Sequence, residues 1–217
     1  MRNIIKTLVL TLISLFCGIF SYRYMLYMDK SNWSILVGIL SCMIGMFIAL
    51  ILLVVNLKIR EISAYSLIFK DTLTKAYNRR MLVKVFNDYS RDKKPFTLVY
   101  LDVDQFKLLN DTNGHTIGDM VLISLVDRIM NTIKKTDKII RVGGDEFVLV
   151  LDGELSDSDI KSVITRIYRS LNTFSLSDME LDISVSIGYS SYPKDSEDLS
   201  KLIDIADEQM YRVKRSA

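Results

Sequence analysis

The sequence has few of the residues that cross-link small folds or bind soft metals. It contains two cysteines, two prolines and one histidine among 217 residues. Both cysteines lie in apolar runs, so the chain has neither a disulfide framework nor a cysteine-based metal site. A single histidine excludes a site built from several histidine ligands. Nine glycines and two prolines exclude a collagen-like or low-complexity chain.

Charge is scarce in two long stretches near the N-terminus. The run Ser31–Leu57 has no charged residue, and about 20 apolar residues are enough to span a bilayer. The run Ile4–Tyr27 is weaker because it includes Lys6 and Arg23, and a cleaved signal peptide is the alternative for it. Together the runs predict a two-helix transmembrane hairpin over residues 1–57, with an external loop too short to bind a ligand.

The residues after the second run predict its orientation and a helical stalk. Lys58 and Arg60 follow it directly, and basic flanks favour the cytoplasmic side, so we expect both termini inside the cell. The predicted stalk, residues 58–70, carries a short apolar seam. This seam fits pairing with a second copy and fits packing on the chain's own domain equally well; its residues are Ile59, Ile62, Ser66 and Phe69.

Residues 71–217 alternate helical and strand patterns and are long enough for one core. The apolar run Phe96–Val103 predicts a buried strand, and Gly143–Glu146 predicts the turn of a hairpin. Further strands are predicted over Lys138–Val142, Phe147–Leu151 and Leu181–Ser190, and helices over Asn78–Tyr89, Gly118–Lys134, Ser156–Asn172 and Asp198–Arg212. This order predicts an α/β or α+β domain with helices on a mainly antiparallel sheet.

The predicted soluble part has no surplus of positive charge. Residues 1–57 have a net charge of +3 and the remaining residues a net charge of −1. The sequence pI of 8.4 therefore comes from the membrane flanks. Because non-specific binding of nucleic acid depends on basic residues, we expect no nucleic-acid partner.

Acidic residues occur at two predicted strand ends. Asp102 and Asp104 end the first strand, and Asp145 and Glu146 lie at the hairpin tip. If the hairpin pairs beside the first strand, both clusters meet at one edge of the sheet, where carboxylates repel unless a cation lies between them. Oxygen-only ligands suit Mg²⁺ that also binds substrate phosphates. Asp104 alone is expected to be a solvated cap.

The segment between these clusters carries groups that suit guanine. Asn110 offers an amide donor and acceptor, and Asp119 offers acceptors only, which match the N1–H and N2–H₂ donors of guanine. Lys107 follows the acidic strand end, where its ammonium could balance a phosphate. In the alternative interpretation Asn110 and Asp119 cap helices and Lys107 is a surface lysine.

Four segments together resemble the GGDEF family of diguanylate cyclases: DTLTKAYNRR (71–80), LDVDQFKLLNDTNGHTIGD (101–119), RVGGDEF (141–147) and ADEQMYRVK (206–214). The five residues from Gly143 to Phe147 match the family signature letter for letter. The resemblance covers residues 71–217. It implies a fold like a polymerase palm, GTP as substrate, and conversion of two GTP into cyclic di-GMP and two pyrophosphates.

The resemblance also implies roles for individual residues. The implied ligands of Mg²⁺, or of Mn²⁺ in its place, are Asp102, the backbone carbonyl of Val103, Asp145 and Glu146. Catalysis is assigned to Asp145 as proton acceptor for the 3′-hydroxyl, to Glu146 as a second acidic ligand and to Lys107 as a phosphate-stabilising group. The implied substrate contacts are Asn110, His115, Asp119, Gly143, Gly144 and Lys214.

Two positions depart from the family pattern. The product-inhibition motif Arg-x-x-Asp reads Lys134-Lys135-Thr136-Asp137. Lysine lacks the planar fork that binds phosphate and guanine edges bidentately, so we expect weak product inhibition. The sequence also stops before the Gly-Arg that follows the lysine in the family. The arginine of the phosphate clamp is then absent unless Arg212 or Arg215 replaces it.

The leading interpretation is a diguanylate cyclase anchored in the bacterial cytoplasmic membrane, with its catalytic domain in the cytoplasm. Each chain has one Asn110/Asp119 pair and would hold one GTP, so a symmetric product requires two facing domains and hence a homodimer. A catalytically weak receptor for GTP or cyclic di-GMP is the main alternative. A cyclase for ATP is disfavoured because Asp119 cannot donate to N1 of adenine.

Overall fold

The computed structural model describes residues 16, 18–20, 22–23, 32–171, 174–176, 179–181 and 183–216. The chain divides into two compact units, with the boundary between Leu67 and Ile68. The first predicted membrane helix, Ile4–Tyr27, lies mostly outside the described residues. The two-helix hairpin therefore stays a prediction.

Helix α1 runs from Asn32 to Phe69 and covers residues 32–57 of the second predicted span and residues 58–69 of the predicted stalk. Among the described residues, its segment Leu36–Phe69 is the one helix that is long and apolar enough to cross a membrane. In the seam, Ile59 and Ile62 are exposed. The helical form of this segment is as predicted, and its insertion into a membrane remains a prediction.

The second unit is built on a five-stranded sheet. Its strands are β1 (Tyr77–Asn78), β2 (Phe96–Val103), β3 (Lys138–Arg141), β4 (Glu146–Asp152) and, after a separate hairpin of β5 (Phe174–Leu176) and β6 (Met179–Leu181), β7 (Val185–Tyr192). The order is β1-β3-β4-β2-β7. Only the β1–β3 pair is parallel in this sheet, which confirms the prediction of a mainly antiparallel arrangement.

Helices cover both faces of this sheet: α2 (Arg79–Arg91), α3 (Phe106–Asn113), α4 (His115–Thr132), α5 (Asp157–Leu171) and α6 (Leu199–Ser216). On one face Val99 and Leu101 of β2 pack in a cluster with residues of α4 and α5. On the other face Leu98 and Tyr100 pack with residues of α2 and α6. Strand β2 is thus buried on both sides, which explains why all its residues except Thr97 and Asp102 are apolar.

Several predicted boundaries are wrong. The predicted strand Leu181–Ser190 is two elements, because Leu181 pairs with Phe174 in the β5–β6 hairpin and β7 begins only at Val185. The predicted helix Gly118–Lys134 begins earlier, at the start of α4, and ends at Thr132. Before it lies α3, which was not predicted. The two helices are separated by Gly114, whose positive φ of 85° breaks the helical path.

Candidate active site

Strand pairing brings the two acidic segments together. Asp102 on β2 lies directly opposite Glu146 on β4. The N–H of Val103 donates to the carbonyl oxygen of Asp145, with 3.2 Å between nitrogen and oxygen. Because side chains alternate along a strand, Asp102 and Glu146 project from the face that α2 and α6 cover. The hairpin therefore pairs beside the first strand, as the convergence of the two clusters required.

Asp102 is a nearly buried carboxylate whose cation partner comes from the last helix. Its side chain is 12% exposed, and Nζ of Lys214 on α6 donates a hydrogen bond to its Oδ1. Burial raises the pKa of the Asp102 carboxyl, Lys214 opposes this rise, and the charges of Asp145 and Asp104 add to it. The hydrogen bond to Asp102 in turn raises the pKa of Lys214. The site therefore carries more negative charge than one ammonium balances.

Asp104 is tied into the neighbouring strand. The hydroxyl of Ser186, a buried residue, donates to Oδ1 of Asp104 at 2.7 Å. The N–H of Asp104 donates to the carbonyl of Ser184 at 3.0 Å. The expectation that Asp104 is a solvated cap is wrong, because its carboxylate fixes the end of β2 to β7.

An arginine holds the turn between β3 and β4. Arg141 donates to the carbonyl of Gly144 through Nε at 3.1 Å and through Nη2 at 2.7 Å. Its Nη1 donates to Oδ1 of Asp71 at 3.1 Å, in an ion pair whose side chains are only 16% and 20% exposed. The turn is thus linked to Asp71, a residue near the start of the second unit. A Cβ on Gly144 would meet no atom within 4 Å, so the turn is open on that side.

The carboxylate of Glu146 is enclosed between the turn and strand β2. A Cβ on Gly143 would lie 2.1 Å from Oε2 of Glu146, so this oxygen rests against the glycine. Tyr100 lies two residues before Asp102 on the same face of β2, close enough for the charge of this carboxylate to act on its phenol. Burial, followed by the negative charge of Glu146, raises the pKa of Tyr100 to about 12. The carboxylate of Glu146 therefore packs against Gly143 and lies near Tyr100.

Helix α3 presents a buried acceptor that has no partner. Asn110 lies on this helix. Among the described residues, its Oδ1 is the one buried side-chain nitrogen or oxygen atom that has no hydrogen-bond partner. Gly118 on α4 makes room for it, because a Cβ there would lie 1.9 Å from this oxygen. Leaving a buried acceptor unpaired costs roughly 1–3 kcal/mol. An N–H donor supplied by a ligand would remove that cost.

The other predicted polar residues surround this acceptor in the sequence. Lys107 lies on α3, His115 begins α4 and Asp119 follows one turn later. All three are exposed. Strand register and direct contacts thus bring one group of predicted residues together: Asp102, Val103, Asp145, Glu146 and Lys214. A second group lies on the two helices that follow β2: Lys107, Asn110, His115 and Asp119.

The donors of this site fit a hard divalent cation by their chemistry. Asp102, Asp145 and Glu146 offer carboxylate oxygens, which Mg²⁺ prefers. Burial is the main cause of the raised pKa of Asp102, and the negative charges of Asp145 and Asp104 add to it. In the described part of the chain, no three acidic, histidine or cysteine side chains are grouped closely enough to hold an ion. Here Oε2 of Glu146 lies against Gly143, and Asp102 accepts a hydrogen bond from Lys214.

Sequence reasoning missed three residues that shape this site. Arg141 belongs to the RVGGDEF segment, and its position next to the signature was the available signal. Tyr100 precedes Asp102 by two residues, so strand alternation already placed both on one face. Gly118 gave no signal, because its role depends on how α3 folds against α4.

Known proteins match the part of the chain that carries this site. The family described as "Diguanylate cyclase, GGDEF domain" matches residues 68–217. MucR of Pseudomonas aeruginosa, a bifunctional diguanylate cyclase/cyclic di-GMP phosphodiesterase, is 34% identical over 149 residues, which are 66% of this chain and 22% of MucR. Diguanylate cyclase DosC of Escherichia coli is 34% identical over 155 residues, which are 67% of this chain and 33% of DosC.

A solved structure matches the fold of the same region of the chain. The solved GGDEF domain of TpbB from Pseudomonas aeruginosa matches with a TM-score of 0.62 and 31% identity, over 68% of this chain and 90% of that one. The chain therefore belongs to the GGDEF family of diguanylate cyclase domains, which confirms the resemblance seen in the sequence. It spans about a third or less of the length of MucR and DosC.

Proposed function

We propose that this chain is a diguanylate cyclase that condenses two GTP molecules into cyclic di-GMP and two pyrophosphates. The observation that carries the proposal is the pairing of Asp102 with Glu146 at the signature turn. It concentrates carboxylates at the end of β2, directly before the helix that carries Asn110. Family membership and relatives named as diguanylate cyclases support the same activity.

The guanine base is bound by α3 and α4. Oδ1 of Asn110, buried and unpaired, accepts from the N–H groups of guanine, and Asp119 supplies a second acceptor. His115 makes a further substrate contact. A substrate that supplies these donors is favoured over ATP, because adenine has an acceptor at N1 where guanine has a donor.

The phosphates lie between these helices and the signature turn. Lys107 and Lys214 balance their charge, while Gly143 and Gly144 let the turn approach the nucleotide closely. Asp145 accepts the proton of the 3′-hydroxyl. The hydroxyl oxygen then attacks the α-phosphorus of the second GTP, and the bond from that phosphorus to pyrophosphate breaks.

A divalent cation completes this site. Asp102, the carbonyl of Val103, Asp145 and Glu146 would hold Mg²⁺ or Mn²⁺. When bound, the ion orients the phosphates and neutralises charge on the leaving pyrophosphate. The carboxylates of this chain supply only oxygen ligands, which agrees with that choice of metal.

The active form is a homodimer on the cytoplasmic face of a membrane. The product ring is closed by two equivalent bonds, so each domain presents its 3′-hydroxyl to the α-phosphate held by the other. The apolar helix α1 anchors the chain, and confinement to a bilayer raises the local concentration of domains. The basic residues Lys58 and Arg60 support a cytoplasmic catalytic domain.

A second candidate is a membrane receptor that binds GTP or cyclic di-GMP and turns over weakly. The contact of Lys214 with Asp102 favours it, because the ammonium occupies one oxygen of an implied metal ligand. In this case nucleotide binding would be retained while product formation is negligible.

One assay separates the two candidates. The full chain, purified in detergent, is incubated with GTP and Mg²⁺, and the products are separated by chromatography. We expect one cyclic di-GMP for every two pyrophosphates. Asp145→Asn should abolish product, whereas Asp157→Asn, at an exposed ion pair on α5, should have no effect. Binding of GTP without product from the wild-type chain would favour the receptor.

A further inference from the structure

We propose that Ser186 is a positioning residue that places helix α3 for nucleotide recognition. It acts through Asp104, whose Oδ1 accepts a hydrogen bond from the Ser186 hydroxyl at 2.7 Å. Ser186 does not touch the nucleotide in this proposal. The inference rests on the proposed function, because it takes α3, with Lys107 and Asn110, as part of the GTP site.

Strand β7 brings Ser186 to the end of β2 that is followed by α3. Ser186 lies directly opposite Asp102, and its hydroxyl reaches diagonally to Asp104, two residues further along the chain. The N–H of Asp104 also donates to the carbonyl oxygen of Ser184, with 3.0 Å between nitrogen and oxygen. Asp104 is therefore attached to β7 twice, once by its backbone and once by its side chain.

The connection from β2 to α3 is short, and its second residue has an unfavourable backbone conformation. Strand β2 ends at Val103 and α3 begins at Phe106, so Asp104 and Gln105 form the whole connection. Gln105 has a φ of 53°, in the left-handed region that residues with a side chain disfavour. Such a conformation persists only where neighbouring contacts hold it. The double attachment of Asp104 supplies such contacts directly before Gln105.

Helix α3 buries little surface of its own, so its position depends on this connection. None of its residues is fully buried, and only Phe106 and Leu109 pack against the core, as partly buried side chains. The same helix carries the buried, unpaired Oδ1 of Asn110. A shift at the start of the helix therefore displaces Asn110, and a misplacement of about 1 Å can cost about 100-fold in rate.

Strand β7 also provides a matched control. Oγ of Ser191 lies 3.3 Å from Oγ1 of Thr97, its direct partner on β2. Ser191→Ala therefore removes the same group from the same pair of strands, at the end remote from α3. Two variants of Asp104 separate the hydrogen bond from the charge. Asp104→Asn keeps an acceptor for the hydroxyl of Ser186, whereas Asp104→Ala removes it.

The test measures the affinities of GDP and of inosine diphosphate for the full chain in detergent with EDTA, by isothermal titration calorimetry. Inosine diphosphate lacks the 2-amino group of guanine and has the same phosphates. The ratio of the two affinities therefore reports recognition of the base and is insensitive to changes of charge near the phosphates. A merely structural role of Ser186 would lower the free energy of unfolding without changing this ratio.

Ser186→Ala should weaken GDP binding about tenfold and move the ratio most of the way to one, because Asn110 is displaced by less than the spacing that costs about 100-fold. Asp104→Ala should reproduce this result. Ser191→Ala and Asp104→Asn should keep the ratio within about twofold of wild type, since both leave the acceptor and the hydroxyl at the α3 end in place.

A wild-type ratio in Ser186→Ala, or an equal loss in Ser191→Ala, would overturn the proposal. A ratio of one in the wild-type chain would also overturn it, because α3 would then not recognise the guanine edge. If Ser186→Ala does not fold, equal ratios in Asp104→Ala and Asp104→Asn would overturn the role of the hydrogen bond. A wild-type chain that forms no cyclic di-GMP from GTP would refute the proposed function, while the comparison of the two diphosphates would still decide the role of Ser186.

Discussion

Replacing Gly118 by alanine tests whether the space beside Asn110 serves nucleotide recognition. A Cβ at this position would lie 1.9 Å from Oδ1 of Asn110 and 2.9 Å from its Cγ. Heavy atoms rarely approach a Cβ more closely than 3.0 Å, so the carboxamide must move by about 1 Å. A misplacement of this size can cost about 100-fold in rate.

The same substitution should not weaken the fold. Gly118 lies in α4 with ordinary helical geometry, and alanine is favoured over glycine in a helix by up to about 1 kcal/mol. Moving the buried, unpaired oxygen of Asn110 towards water would also relieve part of its cost of roughly 1–3 kcal/mol. We therefore expect the free energy of unfolding to stay within about 1 kcal/mol of wild type, while kcat/KM for GTP falls about 100-fold.

The assay compares kcat/KM for GTP and for ITP, which lacks the 2-amino group of guanine. The preference for GTP should shrink in Gly118→Ala if the displaced group reads the guanine edge. A double-mutant cycle supplies the control: in an Asn110→Ala background, Gly118→Ala should cost less than threefold, because the clashing group is gone. A wild-type kcat/KM in Gly118→Ala, or an equal loss in both backgrounds, would refute the reasoning.

Three further predictions use other parts of the site. Pairing with Asp102 raises the pKa of Lys214. The contribution of Lys214 to the free energy of unfolding is therefore complete below pH 10.5 and is lost as pH rises through the pKa of the folded state. Lys214→Ala should not show this loss of stability at high pH when the free energy of unfolding is measured as a function of pH. Cyclic di-GMP should inhibit only by competition with GTP. Lys134 replaces the arginine of the product-inhibition motif, and both carboxylate oxygens of Asp137 already accept backbone N–H groups. Tight noncompetitive inhibition that is lost in Lys134→Ala would contradict this prediction. The rate per chain in dilute detergent should rise with chain concentration if catalysis needs a dimer, and a constant rate from chains shown to be monomeric would exclude that requirement.

The parts of the fold that burial determines were predictable. Strand β2 was predicted to the residue, because both of its faces are buried and apolar residues occupy most positions on each face. Helix α3 was missed because it has only eight residues and none is fully buried, so Phe106 and Leu109 alone mark the side that faces the core. The β5–β6 hairpin was missed because its short strands pair with each other, so Leu181 belongs to a different sheet from Val185.

The candidate site was predictable only as a set of residue types. Antiparallel pairing can bring the acidic strand ends and the glycine turn together, so the sequence indicated that they form one site. The pairing of Lys214 with Asp102, and the space that Gly118 leaves for Asn110, depend on how separate elements pack against one another. No spacing rule records such contacts.

Lys214, on the last helix, contacts Asp102, an implied metal ligand, and is also proposed to bind the phosphates of the substrate. Helix α6 lies close against β7 because residue 188 is glycine: a Cβ there would lie 2.0 Å from the carbonyl oxygen of Ala206. The backbone of α6 is therefore fixed, and the side chain of Lys214, which is 39% exposed, is the part that can move. While it pairs with Asp102 it balances a buried carboxylate. Neutralisation of that carboxylate by another cation removes most of this attraction, so the ammonium becomes available to phosphates. One lysine can thus stabilise the ligand-free site and later bind substrate, and its removal should strengthen metal binding while weakening GTP binding.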